Sequence, residues 1–440
     1  MNPPERSRSR IIQPTRRGFL GAGATAAAGS VLAQLPVQSF AQVEGRSRLK
    51  VALVGCGGRG TGAANETLSV EGTELVAMAD VFRDRLDGAY AQLSGRFQDT
   101  VKVTDQSKFI GFDAYLKAID LADVVILATP PGFRPMMFEA AVDAGKHVFM
   151  EKPVATDAPG IRRVLEAAKK ADEKKLKVVV GLQRHYETIY LETLKRIQDG
   201  AIGDIVAAQC YWNGSGVWVR ERRPGQTEME YQVMNWYYFV WLCGDHIVEQ
   251  HVHNIDVVNW FKGGPPVRAQ GMGGREVRKG RDNGEIFDHH YVEFTYADGT
   301  ICNSQCRHIP NCWDRVSESF QGTQGRAEPG RIYDLKGEGV WRHRGGRGDP
   351  NAYQVEHDVL YRHIREDIPV NNAYYGASST MTAILGRLCT YSGQSIGYEE
   401  ALNSNVNLFP DSLAWDAMPK VVPDAEGRYP VAVPGQTKVL

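Results

Sequence analysis

The chain has 440 residues, of which 42% are apolar and 23% charged, a composition that can bury a sizeable core and excludes a disordered or fibrous polypeptide. Its 51 basic and 52 acidic side chains nearly cancel, so no global field draws it to nucleic acid or anionic lipid. At about 150 residues per domain, the length implies two to three domains.

Residues 1–41 read as an address. Arg6, Arg8 and Arg10 precede Thr15-Arg16-Arg17-Gly18-Phe19-Leu20, a weakly apolar Ala/Gly stretch follows, and Ser39-Phe40-Ala41 supplies small residues for a peptidase. The segment resembles a twin-arginine (Tat) export signal, used for proteins that fold before crossing a membrane. It implies contact with the Tat export machinery and a periplasmic location. Beyond it no apolar run is long enough to span a bilayer, so the mature protein is expected to be soluble.

A first domain is expected over residues 48–171. The β-branched run Leu49–Val54 leads into Gly55-Cys56-Gly57-Gly58-Arg59-Gly60, followed by a helical stretch from Thr61 to Val70. A second strand over 74–79 ends in Asp80, 20 residues after Gly60. In this strand–turn–helix–strand context the glycines permit a tight turn and let a pyrophosphate reach the helix N-terminus, while Asp80 can accept from the adenosine ribose hydroxyls. An acid there repels a 2′-phosphate and favours NAD; Arg83 and Arg85 keep NADP open. A strand over 123–128 runs into Thr129-Pro130-Pro131, a helix follows from Arg134, and a strand over 147–150 runs into Glu151-Lys152-Pro153. The alternation implies right-handed βαβ crossovers and a parallel sheet, with ligands beyond its carboxyl edge. Thr129, Pro130, Glu151 and Lys152 all fall at that edge, as do Gly55, Gly57, Gly58, Arg59 and Gly60.

Taken together, GCGGRG, ATPP at 128–131, AGKHVFMEKP at 144–153 and GLQRHY at 181–186 resemble the glucose–fructose oxidoreductase and inositol dehydrogenase family, Gfo/Idh/MocA, over residues 48 to about 402. The resemblance implies an α/β protein: an N-terminal Rossmann domain, then a substrate and oligomerisation domain, here 172–440, with a mostly antiparallel open sheet. It also implies a homo-oligomer, a small carbohydrate or cyclitol substrate, and hydride transfer at a CH–OH carbon. Lys152 would hydrogen-bond the reacting hydroxyl and relay its proton.

Members of the family carry a D-x-G-x-H-x-x-D pattern that reaches the substrate; here Glu249, His251, His253 and Asp256 stand in those places. Apolar Val248, Val252, Ile255 and Val257 leave residues 249 and 253 on one face of a helix. A carboxylate beside an imidazole orients it and tunes its pKa. His253 is therefore the expected general acid/base, with Glu249 as its orienter or a substrate anchor. Three departures stand out: Glu for Asp at 249, bulky His251 for Gly, and Arg134 where members place a histidine. His246, Glu249 and His253 share a helical face, but no metal is expected there, nor at Cys302, Cys306, His308 and Cys312, where 302 and 306 would lie about 13 Å apart on one strand face.

The segment 211–241 is rich in Trp, Tyr and Arg. Aromatic faces suit the C–H faces of sugars, and Trp236 and Arg223 are the substrate-binding candidates within it. Helices are expected over 353–367 and 378–392, and His357, on the first, and Tyr375, just before the second, are further candidates for the cleft. Residues 403–440, carrying five prolines, either wrap a neighbouring molecule or trail in solvent. Three functions fit these features. They are an NAD-dependent oxidoreductase acting on a sugar or cyclitol, an NAD-dependent glycosidase working by transient C3 oxidation and elimination, and a sugar-binding protein without turnover.

Overall fold

The computed structural model describes residues 48–440; the expected export signal lies outside the described residues. The first six strands are β1 (Leu49–Val54), β2 (Thr73–Asp80), β3 (Lys108–Ile110), β4 (Val124–Leu127), β5 (His147–Met150) and β6 (Val178–Val180). They form one parallel sheet in the order β3-β2-β1-β4-β5-β6. Strands covered on both faces must be apolar on both, and Val51–Val54 and Val124–Leu127 are buried throughout. One face packs Leu53, Leu75 and Met78 against Ala63, Leu86 and Leu93, and the other packs Val125, Leu127 and Met150 against Phe138 and Ile161.

The domain boundary expected at residue 171 cuts through a crossover. Helix Ala158–Glu173 is the link from β5 to β6, so the first domain continues through Val180. It is also discontinuous in sequence: Leu360 and Tyr361, on the late helix Ala352–Arg365, belong to the same core cluster as β1 and β2.

The second sheet holds β7 (Ile205–Gly214), β8 (Arg268–Gly274), β9 (His289–Thr295), β10 (Ile301–His308), β11 (Arg315–Gly322), β12 (Gly325–Glu328), β13 (Arg331–Asp334), β14 (Gly339–Arg342) and β15 (Ile396–Gly397). Their order is β14-β13-β12-β11-β7-β10-β9-β8-β15, and β7–β10 is parallel while the other pairs are antiparallel. β9 and β10 alternate buried and accessible residues, as half-covered strands do. Helices Val252–Lys262 and Ala373–Ser392 cover the inner face; Val206, Met272 and Val316 stand exposed on this sheet. Cys302 and Cys306 are both buried on one face of β10, and all seven cysteines are free thiols.

Residues 403–440 do not trail. Trp415 packs against Phe82 and Phe112 (centroids 5.6 and 4.6 Å), and Phe409 meets Phe133 and Trp241 edge-on. The Leu408 N–H donates to Asp157 Oδ2 at 2.8 Å, and Gln232 Nε2 donates to the Val421 carbonyl at 2.7 Å. The segment is a strap tying the two halves of its own chain together.

Candidate functional site

The helix Gly58–Leu68 begins directly at the glycine turn, with Gly57 as its N-cap, earlier than the stretch expected from Thr61. Gly55 has φ +93°, and a Cβ there would lie 2.6 Å from the Ala128 backbone; a Cβ on Gly60 would lie 1.9 Å from the Gly55 carbonyl oxygen. These two glycines hold strand and helix in close approach, while around Gly58 there is open space. Bare backbone and a helix N-terminus therefore face a cleft of about 490 Å³ at the carboxyl edge of the sheet, the arrangement that receives a dinucleotide's pyrophosphate.

The cleft lies between the first sheet and the second half of the chain, and both contribute to its wall. Gly55, Gly57, Gly58, Arg59, Asp80, Thr129, Pro130, Glu151, Lys152, Trp236, Glu249 and His253 line it. Gly60 is buried just behind, against Gly55. Arg223 does not line it: this exposed residue turns back on Gln226, whose Oε1 accepts from the Arg223 N–H at 2.8 Å. Arg220, three residues earlier on the same arm, lines the cleft instead. His357 and Tyr375 lie away from it: His357 stacks on Phe149 at 4.1 Å, and Tyr375 stacks on His185 at 4.2 Å.

Asp80 is held rigidly. Its Oδ2 accepts from the Cys56 N–H at 2.7 Å and its Oδ1 from the Phe82 N–H at 2.9 Å. Burial pushes its pKa up, against these backbone hydrogen bonds and Arg85 nearby. Each carboxylate oxygen can accept more than one bond, so lone pairs remain for a ribose hydroxyl. Arg59 spans from the glycine turn to the EKP step, donating from Nε to Glu151 Oε1 and from a guanidinium NH2 to Glu66 Oε2, both at 2.6 Å. Glu151 packs on Gly181, where a Cβ would come within 2.7 Å of Oε2. Arg134 is buried under the cleft, donating to the carbonyls of Leu127 and of Thr129 (2.7 Å to the latter); burial pulls its pKa down to about 10. The arginine that replaces a family histidine thus pins the end of β4.

Residues 246–262 do not form one helix. Helix His246–Glu249 ends, and a second runs Val252–Lys262, with the break at Gln250 and His251. Glu249 pairs with Lys152, whose Nζ donates to the Glu249 carbonyl at 2.6 Å and to its Oε1 at 3.2 Å. Glu249 therefore orients the lysine rather than the imidazole expected from helical spacing. His253, at the start of the second helix, stacks on Trp212 with centroids 5.9 Å apart. Burial, then the positive charges of Lys152 and Arg184, hold its pKa well below the usual imidazole range, so it stands neutral, with one ring nitrogen able to accept a hydrogen bond. His251 points elsewhere, its Nε2 2.7 Å from Ser304 Oγ.

Five cleft residues carry buried polar atoms without a hydrogen-bond partner: Arg134 Nε, Gln183 Oε1, Arg220 Nε, Gln250 Oε1 and His253 Nδ1. Neither glutamine stood out as a site residue in sequence, although Gln183 lies inside GLQRHY and Gln250 directly after Glu249. Buried unpaired acceptors and donors are costly, and those of the two glutamines and the histidine, in the cleft that Lys152 also lines, fit a ligand with several hydroxyl groups. His246 turns away into a buried cluster with Asp245 and His290, the one group among the described residues with metal-ligand spacing. The carboxylate there is already engaged: Asp245 Oδ1 accepts from the His246 backbone and lies 2.8 Å from its Nδ1, and Oδ2 accepts from the Phe287 N–H and the Tyr391 hydroxyl. This is a hydrogen-bond hub under the site.

Comparison with known proteins agrees with this geometry. Residues 49–181 match the model of an oxidoreductase family with an NAD-binding Rossmann fold, and residues 190–328 match the GFO/IDH/MocA C-terminal domain, together more than half of the chain. An inositol 2-dehydrogenase of Rubrobacter xylanophilus is 27% identical over 64% of this chain and 71% of its own length. A glycosyl hydrolase family 109 protein of Shewanella putrefaciens is 24% identical over 50% of this chain and 49% of its own. The crystal structure of scyllo-inositol dehydrogenase from Lactobacillus casei, with NAD(H) and scyllo-inositol bound, superposes with a TM-score of 0.61, covering 80% of this chain and all of the other at 20% identity. With both of its domains matched, the chain belongs to the Gfo/Idh/MocA family of NAD-binding oxidoreductases.

Proposed function

We propose that the chain transfers a hydride between NAD and a ring CH–OH carbon of a carbohydrate or cyclitol. The observation that carries this reading is the convergence of Lys152, Glu249 and neutral His253 with the unpartnered Gln183 and Gln250, all beside the dinucleotide cradle. Gly57, Gly58 and Asp80 would hold NAD, which when bound supplies the hydride acceptor. Lys152, steered by Glu249, donates to the reacting oxygen and steadies its developing charge. His253 takes the hydroxyl proton in oxidation and returns it in reduction. Gln183 and Gln250 receive neighbouring hydroxyls and fix which carbon faces the cofactor. Trp212 and Trp236 present apolar faces to the ring.

The basic leader supports export of the folded protein to the periplasm, where free NAD is not expected. We infer that the cofactor leaves the cytoplasm tightly bound and is recycled on the enzyme, one sugar giving up the hydride and a second taking it. The exposed Val206, Met272 and Val316 on the second sheet support assembly of copies through that sheet.

A second reading is favoured by the aromatic wall and by the Shewanella relative: an NAD-dependent glycosidase. There the hydride removed at C3 is returned after the acidified C2 proton and the glycosidic leaving group depart and water adds.

The test begins with mature protein purified without added nucleotide, denatured and assayed for NAD, NADH, NADP and NADPH. Near-stoichiometric NAD is expected, and an empty protein would sink the recycling proposal. Panels of cyclitols, free aldoses and aryl glycosides are then incubated with it in D₂O. Oxidation of a free polyol, read as bound NADH, supports the leading reading. Release of aglycone with deuterium at C2 and no net NADH identifies the glycosidase instead, and no response to any of them overturns both.

A further inference from the structure

The arm between β7 and the helix Glu228–Met234, residues 215–227, leaves the second sheet and reaches the cleft wall that the first domain builds. Its three arginines meet different fates. Arg222 pairs with Glu228 and donates to the Tyr429 hydroxyl at 2.9 Å. Arg223 is exposed. Arg220 enters the cleft, its guanidinium 4.6 Å from the Trp218 ring and its Nε buried without a partner. The arm is anchored where it matters, because the Arg220 N–H donates to Asn235 Oδ1 at 2.9 Å.

Across the cleft mouth Arg85 stands on the first domain, against the Phe82 ring, with a guanidinium nitrogen 3.7 Å from where a Cβ on Gly57 would lie. It therefore hangs over the glycine turn. Among the described residues no carboxylate lies within ion-pair distance of Arg85 or of Arg220. Asp80 accepts one backbone N–H on each oxygen, from Cys56 and Phe82, and makes no ion pair with either arginine. Two guanidinium groups from two domains thus share one cleft, close enough for Arg220 to feel the charge of Arg85, with Asp80 and Asp84 nearby but neither in a direct ion pair with them. Like charges placed together without a partner are unfavourable until an anion joins them, and guanidinium forks match phosphate oxygens.

We propose that Arg220 and Arg85 form a clamp on the diphosphate of the bound dinucleotide, with the 215–227 arm as a roof that the second domain lays over a cofactor cradled by the first. The glycine turn receives the diphosphate from below through its N–H groups; the two arginines close it from above. This supplies what a cofactor carried away from its cytoplasmic pool requires, since release then needs the arm to lift as well as the turn to let go. The clamp rests on nucleotide binding and not on the identity of the sugar.

The test uses the full mature chain freed of nucleotide, its tryptophan fluorescence titrated with ADP-ribose and, separately, with adenosine, which lacks the diphosphate. Arg220→Ala and Arg85→Ala are each expected to weaken ADP-ribose by ~10-fold or more, the scale of one charged hydrogen-bonding contact, and to leave adenosine within about twofold. Arg220→Lys keeps the charge without the fork and should fall between. Raising salt should weaken ADP-ribose binding in the parent more steeply than in either variant. Arg223→Ala, outside the cleft, should match the parent throughout. Equal losses for ADP-ribose and adenosine would overturn the clamp and make the arginines structural. Unchanged ADP-ribose affinity in both alanine variants would overturn it outright. A parent chain that binds neither probe would take down nucleotide binding itself, and the clamp with it.

Discussion

Lys152 and Glu249 meet from two different domains. The lysine ammonium donates both to the Glu249 carbonyl at 2.6 Å and to its carboxylate at 3.2 Å, and both side chains are largely withdrawn from water. A flexible four-carbon amine becomes a fixed proton donor only when its rotamers are restricted, and this double contact restricts them. The two halves of the chain must be docked for the pair to exist.

Replacing Lys152 by Met keeps much of the volume and removes the proton donor. Turnover on the best substrate should fall by ~10³-fold or more, the upper part of the range for positioned acid–base groups. The NAD content of the purified protein should not change, because the cradle is built from other residues. Glu249→Gln leaves the backbone carbonyl contact in place, so its loss should be smaller, about 10–100-fold. Near-normal turnover in Lys152→Met would move the chemistry to another group.

His253 gives a pH prediction with a definite sign. Burial and the neighbouring charges of Lys152 and Arg184 depress its pKa well below the ordinary value. The neutral, proton-accepting form therefore persists as pH falls through about 6.5, where a free imidazole would be half protonated. The rate at saturating substrate should show no acid limb centred there. His253→Ala should lower the rate across the whole range by ~10²-fold or more. A limb with midpoint near 6.5 that vanishes in the variant would contradict the assignment.

The first domain was largely legible because its rules are local. A β-branched run into glycines, an acid after the second strand and a lysine after the fifth each mark a position at the carboxyl edge of the sheet. Asp80 was placed from its own neighbourhood, whereas the part expected of Lys152 came from the family resemblance. The second domain was less so, because its contributions depend on chain breaks. The break at Gln250–His251 turned Glu249 toward Lys152 and left His253 to stack on Trp212, which uninterrupted helical spacing does not foresee. Arg223 and Arg220 look alike on an irregular arm; only the fold decides which one enters the cleft. The strap of 403–440 has no periodicity to read, since its anchors, Phe409 and Trp415, fill gaps between elements far apart in sequence. The histidines 246 and 357 attract notice as chemistry but serve packing and hydrogen bonding within the core.

Two substitutions separate the hydrogen bonds that Asp80 makes from the charge proposed to oppose a 2′-phosphate. Asp80→Asn keeps an oxygen able to accept from a backbone N–H but loses the charge that opposes a 2′-phosphate. It should retain much of the stability while narrowing the preference for NAD over NADP by about tenfold, the effect of one removed charge contact. Asp80→Ala abandons both the Cys56 and the Phe82 N–H groups and should additionally lower the unfolding free energy by about 1–3 kcal/mol. Equilibrium binding of the two nucleotides and urea denaturation measure the two effects independently. An unchanged nucleotide preference in both variants would place discrimination elsewhere.

Arg184 and Glu318 make the most exacting stability test. Glu318 is fully buried and accepts from Arg184, from Asn254 Nδ2 at 2.6 Å and from the Tyr190 hydroxyl at 3.1 Å. Burial raises its pKa while Arg184 opposes the rise. Arg184→Met leaves that carboxyl without its cation in a dry interior and should cost about 3–5 kcal/mol in urea unfolding. Arg184→Met with Glu318→Leu removes the stranded charge as well, though it leaves Asn254 and Tyr190 short of an acceptor; it should be more stable than the single variant. The pair also reaches the site, because Arg184 is one of the two positive charges that keep His253 neutral. In Arg184→Met the imidazole pKa should rise, so any acid limb in the rate moves toward higher pH. A double variant no more stable than Arg184→Met would mean that the ion pair matters for its shape and hydrogen bonds rather than for cancelling a buried charge.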